Sequence, residues 1–326
     1  MPGRRRFVLA AGALAAAPWA LGQRGRLPRI GYLSLHPISE PASRERQAFL
    51  DGLRDFGLVA GRSIEILYRS AENEPLFLTT MCEELLREKV DVLATPGALP
   101  TLAALKATRT TPIVFLAMGD PVGIGAADSI ARPGRNATGV SFFSSELASK
   151  RIEFMRSVLP SAKRVAFLWE ERNVNADIEA EAAQASARKF GIAPQALPVA
   201  TQAQMNAALE SIPRGRYDAL YVSFTAGLIA DNRSAIAALG LRHRLPVVSG
   251  WSFLTEAGGL LSYAPDIPDM FRRSAYYVDR ILKGARPAEL PIERATTIDL
   301  VINMATARAL GLKLPPDLLL RAKLIE

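Results

Sequence analysis

The chain has 326 residues, 49% of them hydrophobic and 22% charged, with a formal charge of +8, one cysteine and two histidines. That length and apolar fraction suit two globular domains or one large α/β unit, and exclude disordered, collagen-like and low-complexity classes. Cys82, His36 and His243 supply no intrachain disulfide framework, no Cys/His zinc cluster and little material for histidine-based catalysis.

Residues 1–23 stand apart. Arg4-Arg5-Arg6 precede a charge-free stretch over 7–23 dominated by Ala, Leu and Val. A basic start, an apolar middle and the small residues Ala17, Ala20 and Gly22 have the anatomy of an export signal. The order Arg4-Arg5-Arg6-Phe7-Val8-Leu9 also resembles the twin-arginine export pattern, with Gly3 where that pattern carries a hydroxyl residue. The rival reading is a membrane anchor, but 17 charge-free residues interrupted by Gly12 and Pro18 are short for a span of about 20. A cleaved signal is expected, with the mature protein exported to the periplasm and its formal charge lowered from +8 to about +5. The remaining basic residues are scattered, with no run of five like charges and no aromatic-interleaved basic motif, so no nucleic-acid partner is expected.

Beyond Pro28 strands and helices alternate. Ile30-Gly31-Tyr32-Leu33 reads as a buried strand, and Ala48, Phe49, Leu50, Leu53 and Phe56 as an amphipathic helix closed by Gly57. A strand over 64–68, a helix through Leu78, Met81, Leu85 and Leu86, a strand over 90–94, a helix over about 99–108 and a strand over 113–117 follow. This order implies right-handed βαβ crossovers and a parallel sheet.

The rhythm restarts after Thr138-Gly139-Val140-Ser141. Helices are expected over about 147–158, 176–190 and 229–239, and strands at 165–169, 195–197, 219–222 and 246–248. Thr201 with Gln204 forms a capping box for a further helix. Residues 260–263 read as a strand, 267–283 as a long helix, and 297–302 as another strand, with Asn303 capping a short helix. The fold class is therefore α/β: two doubly wound parallel-sheet lobes joined by crossing strands, with a ligand cleft between them. The expected boundaries are 27–140 plus 264–296 for one lobe and 141–263 plus 297–326 for the other. No flexible linker separates them, so the joint permits hinge closure.

In open parallel sheets ligands bind beyond the carboxyl ends of the strands. The residues found there are Ser34, then Thr95, Gly97 and Ala98, then Gly119 and Asp120, and in the second half Glu170, Asn173, Thr225 and Trp251, with Tyr263 as a further aromatic. Thr95 and Gly97 precede a helix, where free N–H groups and the positive helix end favour a carboxylate. Each also has a plain structural reading: Gly97 and Gly119 as turn formers, Thr95 as a cap, Asp120 as a brace for the Pro121 turn. Trp169 suits core packing better than ligand contact, whereas Trp251, beside Gly250, suits a ligand slot. His36, before Pro37, reads as a surface-loop residue, and His243, between Arg242 and Arg244, as solvated. Glu170 and Glu171 are adjacent, which argues against a shared acid–base pair. There is no G-x-G-x-x-G after the first strand, no P-loop and no G-x-S-x-G elbow; no catalytic residue, metal or cofactor is assigned.

Several segments carry a family likeness: Phe49-Leu50-Asp51-Gly52-Leu53-Arg54-Asp55-Phe56-Gly57, Thr111-Pro112-Ile113-Val114-Phe115, Gly119-Asp120-Pro121-Val122-Gly123, Ala131-Arg132-Pro133-Gly134-Arg135-Asn136-Ala137-Thr138-Gly139 and Glu256-Ala257-Gly258-Gly259-Leu260-Leu261-Ser262-Tyr263. So does the ending, from Leu300-Val301-Ile302-Asn303 through Pro315-Pro316-Asp317-Leu318. They resemble the periplasmic substrate-binding proteins of ABC transporters with the type I binding-protein fold, in the tryptophan- or aromatic-amino-acid-binding-like subgroup. The likeness spans nearly all of the mature chain. It departs at Thr95-Pro96-Gly97-Ala98, where the family often shows an Ala-Gly-Thr-type turn.

The resemblance implies a capture protein, taken here as a monomer, that holds a small solute such as an amino acid between two lobes. The solute's carboxylate would meet the turns at 95–98 and 119–120, and the second lobe would recognise its side chain. Closure would present the protein to a membrane permease with its ATPase. A two-domain α/β enzyme, glycosyltransferase-like or acting on sugar phosphates, and a solute sensor for a membrane receptor are the other readings.

Overall fold

The computed structural model describes residues 26–171, 173–224 and 227–326; the proposed export signal lies outside them. The first five strands are β1 Arg29–Ser34, β2 Glu65–Ser70, β3 Val92–Thr95, β4 Ile113–Met118 and β5 Ala137–Ser141. They form one sheet in the order β2-β1-β3-β4-β5, all parallel. The second sheet is built from β6 Arg164–Glu170, β7 Ala193–Val199, β8 Ala219–Val222, β9 Val247–Ser249 and β10 Leu261–Pro265, in the order β7-β6-β8-β9-β10, again parallel. The chain then returns to the first sheet as β11 Glu293–Arg294 beside β5, and ends in the second as β12 Ile298–Asn303 and β13 Lys323–Ile325.

The helices α1 Arg44–Asp55, α2 Leu78–Arg87, α3 Ala98–Ala107, α4 Ser144–Val158, α5 Val174–Lys189, α6 Gln202–Ser211, α7 Leu228–Asp231, α8 Arg233–Arg242, α9 Ser252–Glu256, α10 Ile267–Leu282 and α11 Met304–Leu310 cover the sheet faces. A sheet covered on both sides needs apolar residues at successive positions rather than at alternate ones. Accordingly Val92 to Thr95 are all buried in β3, and so are Ile113 to Leu116 in β4. Each sheet carries a core cluster on either face. One, between β1, β3 and β4 and helices α1 and α10, includes Phe49, Leu53, Val92, Val114, Phe271 and Val278. Helix α10 thus packs on the first sheet although the strand before it belongs to the second.

The structure departs from the sequence expectation in three places. The helix expected over 229–239 is two pieces, α7 and α8, broken at Asn232, whose Nδ2 donates back to Leu228 O at 2.8 Å. The side chain competes with the helix for a backbone acceptor. The second sheet is not wholly parallel, because β12 runs antiparallel to β10. And β11 and β13, two and three residues long, are too short to show periodicity. Among the described residues no helix is long and apolar enough to cross a membrane.

The caps form as the sequence implies: Thr201 Oγ1 accepts from Gln204 N, and Gln204 closes the reciprocal bond. Asn303 Oδ1 accepts from Thr306 N at 2.8 Å while its Nδ2 reaches the buried Thr255 O at 3.1 Å. Thr201→Ala is expected to lower stability by about 1 kcal/mol. Asn303→Ala, which also strands a buried carbonyl, should lose about 2 kcal/mol or more. Urea unfolding of the two variants checks the order.

Candidate functional site

In both sheets the chain leaves its first strand for a neighbour on one side and then crosses to the other: β1 lies between β2 and β3, and β6 between β7 and β8. Where the direction of winding reverses, the connections after the two flanking strands part and leave a crevice at the carboxyl ends. The two crevices form opposite walls of one cavity of about 450 Å³. Ser34 at the end of β1, His36 just beyond it, and Pro96 and Gly97 beyond β3 line it from the first lobe; Asn173 and Asn175 beyond β6, Phe224 beyond β8 and Trp251 beyond β9 line it from the second.

The first-lobe wall presents an open helix end among apolar side chains. Gly97 caps α3 with φ at +75°, a conformation that favours glycine, and no side chain caps the helix. The first-turn N–H groups of a helix have no partner within it and sit at its positive end. Here that end, Gly97 to Leu99, opens on the cavity. Thr101 Oγ1 donates to Gly97 O at 2.7 Å and bonds Thr95 Oγ1 at 2.8 Å, which pins the turn from below. Glu45 and Arg46 at the start of α1 also line the space. The Arg46 side chain is 5% exposed, pairs with Glu40 at 2.6 Å and lies 5.5 Å over the Tyr68 ring.

The second-lobe wall is aromatic. Phe224 and Trp251 stack with ring centres 3.9 Å apart and planes 10° from parallel, and Phe253 lies 4.8 Å beyond Trp251. The Phe224 ring also meets Phe142 at 4.6 Å. With Tyr32, Ile267 and Phe271 from the first lobe, these side chains surround an apolar slot. Beside the cavity the lobes touch: Asp120 N donates to Asn175 Oδ1 at 3.2 Å. A Cβ on Gly119 would sit 2.6 Å from the Asn175 side chain, so this approach needs glycine.

Of the residues singled out in the sequence, Ser34, Gly97, Ala98, Asn173 and Trp251 line the cavity. Five do not, and their hydrogen bonds or packing say why. Thr95 is fully buried and spends its hydroxyl on Thr101. Gly119 and Asp120 belong to the contact between lobes, with Asp120 Oδ1 bracing the turn through Gly123 N at 2.9 Å. Glu170 accepts from Leu228 N at 3.1 Å. Tyr263 packs on the cores of both lobes, 5.1 Å from Phe154. Thr225 lies outside the described residues. His36, read as a surface-loop residue, is exposed but stands at the cavity, its Nδ1 2.7 Å from Asn73 Oδ1. Sequence reasoning missed Glu45, Arg46, Phe142, Phe224, Ile267 and Phe271. Phe224 was within reach, because it precedes a residue chosen for lying past β8. Ile267 and Phe271 sit four apart on α10, but only the packing of that helix turns them toward the cleft.

Residues 35–325 match the profile of a family described as ABC transporter substrate binding protein. The chain belongs to that family. Its proteins bind small molecules and deliver them to a membrane permease. A tyrosine-binding protein of Clostridioides difficile is 24% identical over 284 residues, 87% of this chain and 80% of that protein. A conserved domain protein from Vibrio cholerae is 27% identical with a TM-score of 0.83, over 92% of this chain and 100% of that one. An ABC domain in complex with L-Trp from Streptococcus pneumonia is 23% identical with a TM-score of 0.82, at the same coverage. The architecture is that of the type I periplasmic binding proteins, as the resemblance implied.

Burial pushes the Glu170 carboxyl above its ordinary value, against hydrogen bonds from the Leu228 and Ile229 backbone and the nearby His36. The unfolded chain then loses this proton first, so the group disfavours folding as pH rises from 4.5 through the raised value. Glu170→Gln keeps an acceptor for Leu228 N and removes the charge. The variant is expected to exceed the parent in stability above that window and to match it below pH 4.5, as a pH series of urea unfolding curves will read.

Proposed function

We propose that this chain is the exported, periplasmic capture protein of an ABC importer and that its ligand is an amino acid with an aromatic side chain. It binds as a monomer, releases the ligand unaltered, and uses no cofactor and no nucleic acid. The lobes are taken as 27–140 with 264–296 and 141–263 with 297–326. One observation carries the reading: a single cavity has an uncapped helix N-terminus on one wall and a stacked Phe224–Trp251 pair on the other. A carboxylate suits the first, through unpartnered N–H groups and the helix dipole. A flat apolar group suits the second, because rings stack in offset or edge-on geometry at such distances. Glu45, the carboxylate among the cavity-lining residues, suits the ammonium. The printed ligands of two relatives, tyrosine and L-Trp, support the same class.

Thermal and chemical unfolding of the protein without residues 1–23 tests this. L-tryptophan, L-tyrosine or L-phenylalanine at about 100 times its Kd should add about 2.7 kcal/mol of stability. L-glutamate, L-lysine and glucose at the same concentration should add nothing. Stabilisation by glucose alone, or by none of the aromatic amino acids, would sink the reading. Trp251→Ala should weaken binding of whichever aromatic amino acid stabilises the parent by roughly tenfold or more, measured by titration calorimetry.

A further inference from the structure

Behind the aromatic wall lies an ion pair sealed from solvent. The side chains of Arg151 on α4 and Glu179 on α5 are 0% and 1% exposed, with Nη1 2.7 Å from Oε1. Taking two charges out of water is unfavourable enough that apolar replacements of such pairs are often neutral or stabilising. Packing alone therefore gives no reason for this one. One of its hydrogen bonds leads to the cavity. Glu179 Oε1 accepts from the Phe224 N–H at 2.9 Å and from the Tyr221 hydroxyl at 3.0 Å. Arg151 donates through Nε to Tyr263 O at 2.7 Å.

Phe224 stands just beyond β8. Ser223 N–H still bonds a strand carbonyl, Leu168 O at 3.1 Å, but the next amide has left the sheet and its partner is the carboxylate. Gly250, which precedes Trp251, rests on the same pair: a Cβ there would lie 2.9 Å from Arg151 Cζ and 2.7 Å from Phe224 Cβ. Both halves of the aromatic stack thus start from backbone seated on Arg151 and Glu179. We propose that Glu179, held by Arg151, is a positioning residue that fixes the Phe224–Trp251 stack and thereby the affinity of the cavity. The affinity half of this proposal rests on the aromatic-amino-acid reading; the positioning half does not.

The test uses an Arg151→Met/Tyr221→Phe background, which removes the two other side-chain partners of Oε1. In it Glu179 is replaced by Gln, which keeps an oxygen for the Phe224 N–H, or by Leu, which does not. A lost buried acceptor corresponds to about a tenfold effect. The Leu form is expected to bind L-tryptophan about tenfold more weakly than the Gln form in titration calorimetry. Hydrogen-exchange protection of the Phe224 amide, read by NMR without ligand, should fall by a similar factor. The Leu220 and Val222 amides in β8 should stay alike in the two forms. Equal protection of Phe224 in both forms overturns the proposal, as does a loss shared by the whole of β8, which marks a merely structural pair. Split protection with equal L-tryptophan affinity overturns the affinity half. Where the parent binds L-tyrosine or L-phenylalanine instead, that ligand replaces L-tryptophan in the titration; if the parent binds none of the three while Phe224 protection still splits, the aromatic reading fails and the positioning role stands.

Discussion

A parallel sheet places all its carboxyl ends along one edge, and the helix after each strand starts there. The chain must therefore bring unpartnered helix N–H groups and irregular connections to the same side. In this protein two such edges face one another, and the winding of each reverses once, between β1 and β3 and between β6 and β8. Those two facts place the cavity before any individual side chain is considered. The strands can remain continuously apolar, and the connections beyond them carry the chemistry.

The two walls use that shared geometry differently. In the first lobe the turn before α3 exposes backbone, and backbone N–H groups serve any anion of suitable shape. In the second lobe the corresponding connections carry Phe224 and Trp251, which give area and orientation rather than charge. A ligand that satisfies both walls has an anionic end and a flat apolar end, and it must bridge the lobes to touch both. Such bridging rewards the closed arrangement over an open one, because a ligand shifts an equilibrium only by its differential contacts. The lobes also touch directly, through the Asp120–Asn175 hydrogen bond beside the close approach at Gly119, which contributes on the order of 1 kcal/mol, and through Phe224 and Tyr263 packed against the first-lobe core.

Much of the fold was legible because burial on both faces writes long apolar runs into β1, β3, β4, β6 and β8, and because caps such as Thr201 and Asn303 are local. What was not legible was either too short or decided elsewhere. β11 and β13 exist as partners for β5 and β12; alone they carry no signal. The break between α7 and α8 turns on whether Asn232 faces its own helix. Around the cavity, the strand-end rule picks out Ser34, Gly97, Ala98, Asn173 and Trp251 as lining residues. It could not find Glu45, Ile267 or Phe271, because α1 and α10 reach the cleft through packing rather than through the order of strands.

Residue type misled where direction decided. Hydroxyls and carboxylates past strand ends look like ligand contacts, yet most of those chosen have their hydrogen-bonding capacity committed to protein. Ser34 Oγ donates to His36 O at 2.8 Å and accepts from His36 N at 3.1 Å; Thr95, Asp120 and Glu170 each bond within or between loops. A buried polar group is retained when it is satisfied, so near a cleft it is as well suited to holding a connection as to meeting a solute. The backbone and aromatic surfaces that remain uncommitted are the ones such connections present. In this lobe pair, polar side chains set the shape of the walls, and the surfaces they hold in place face the cavity.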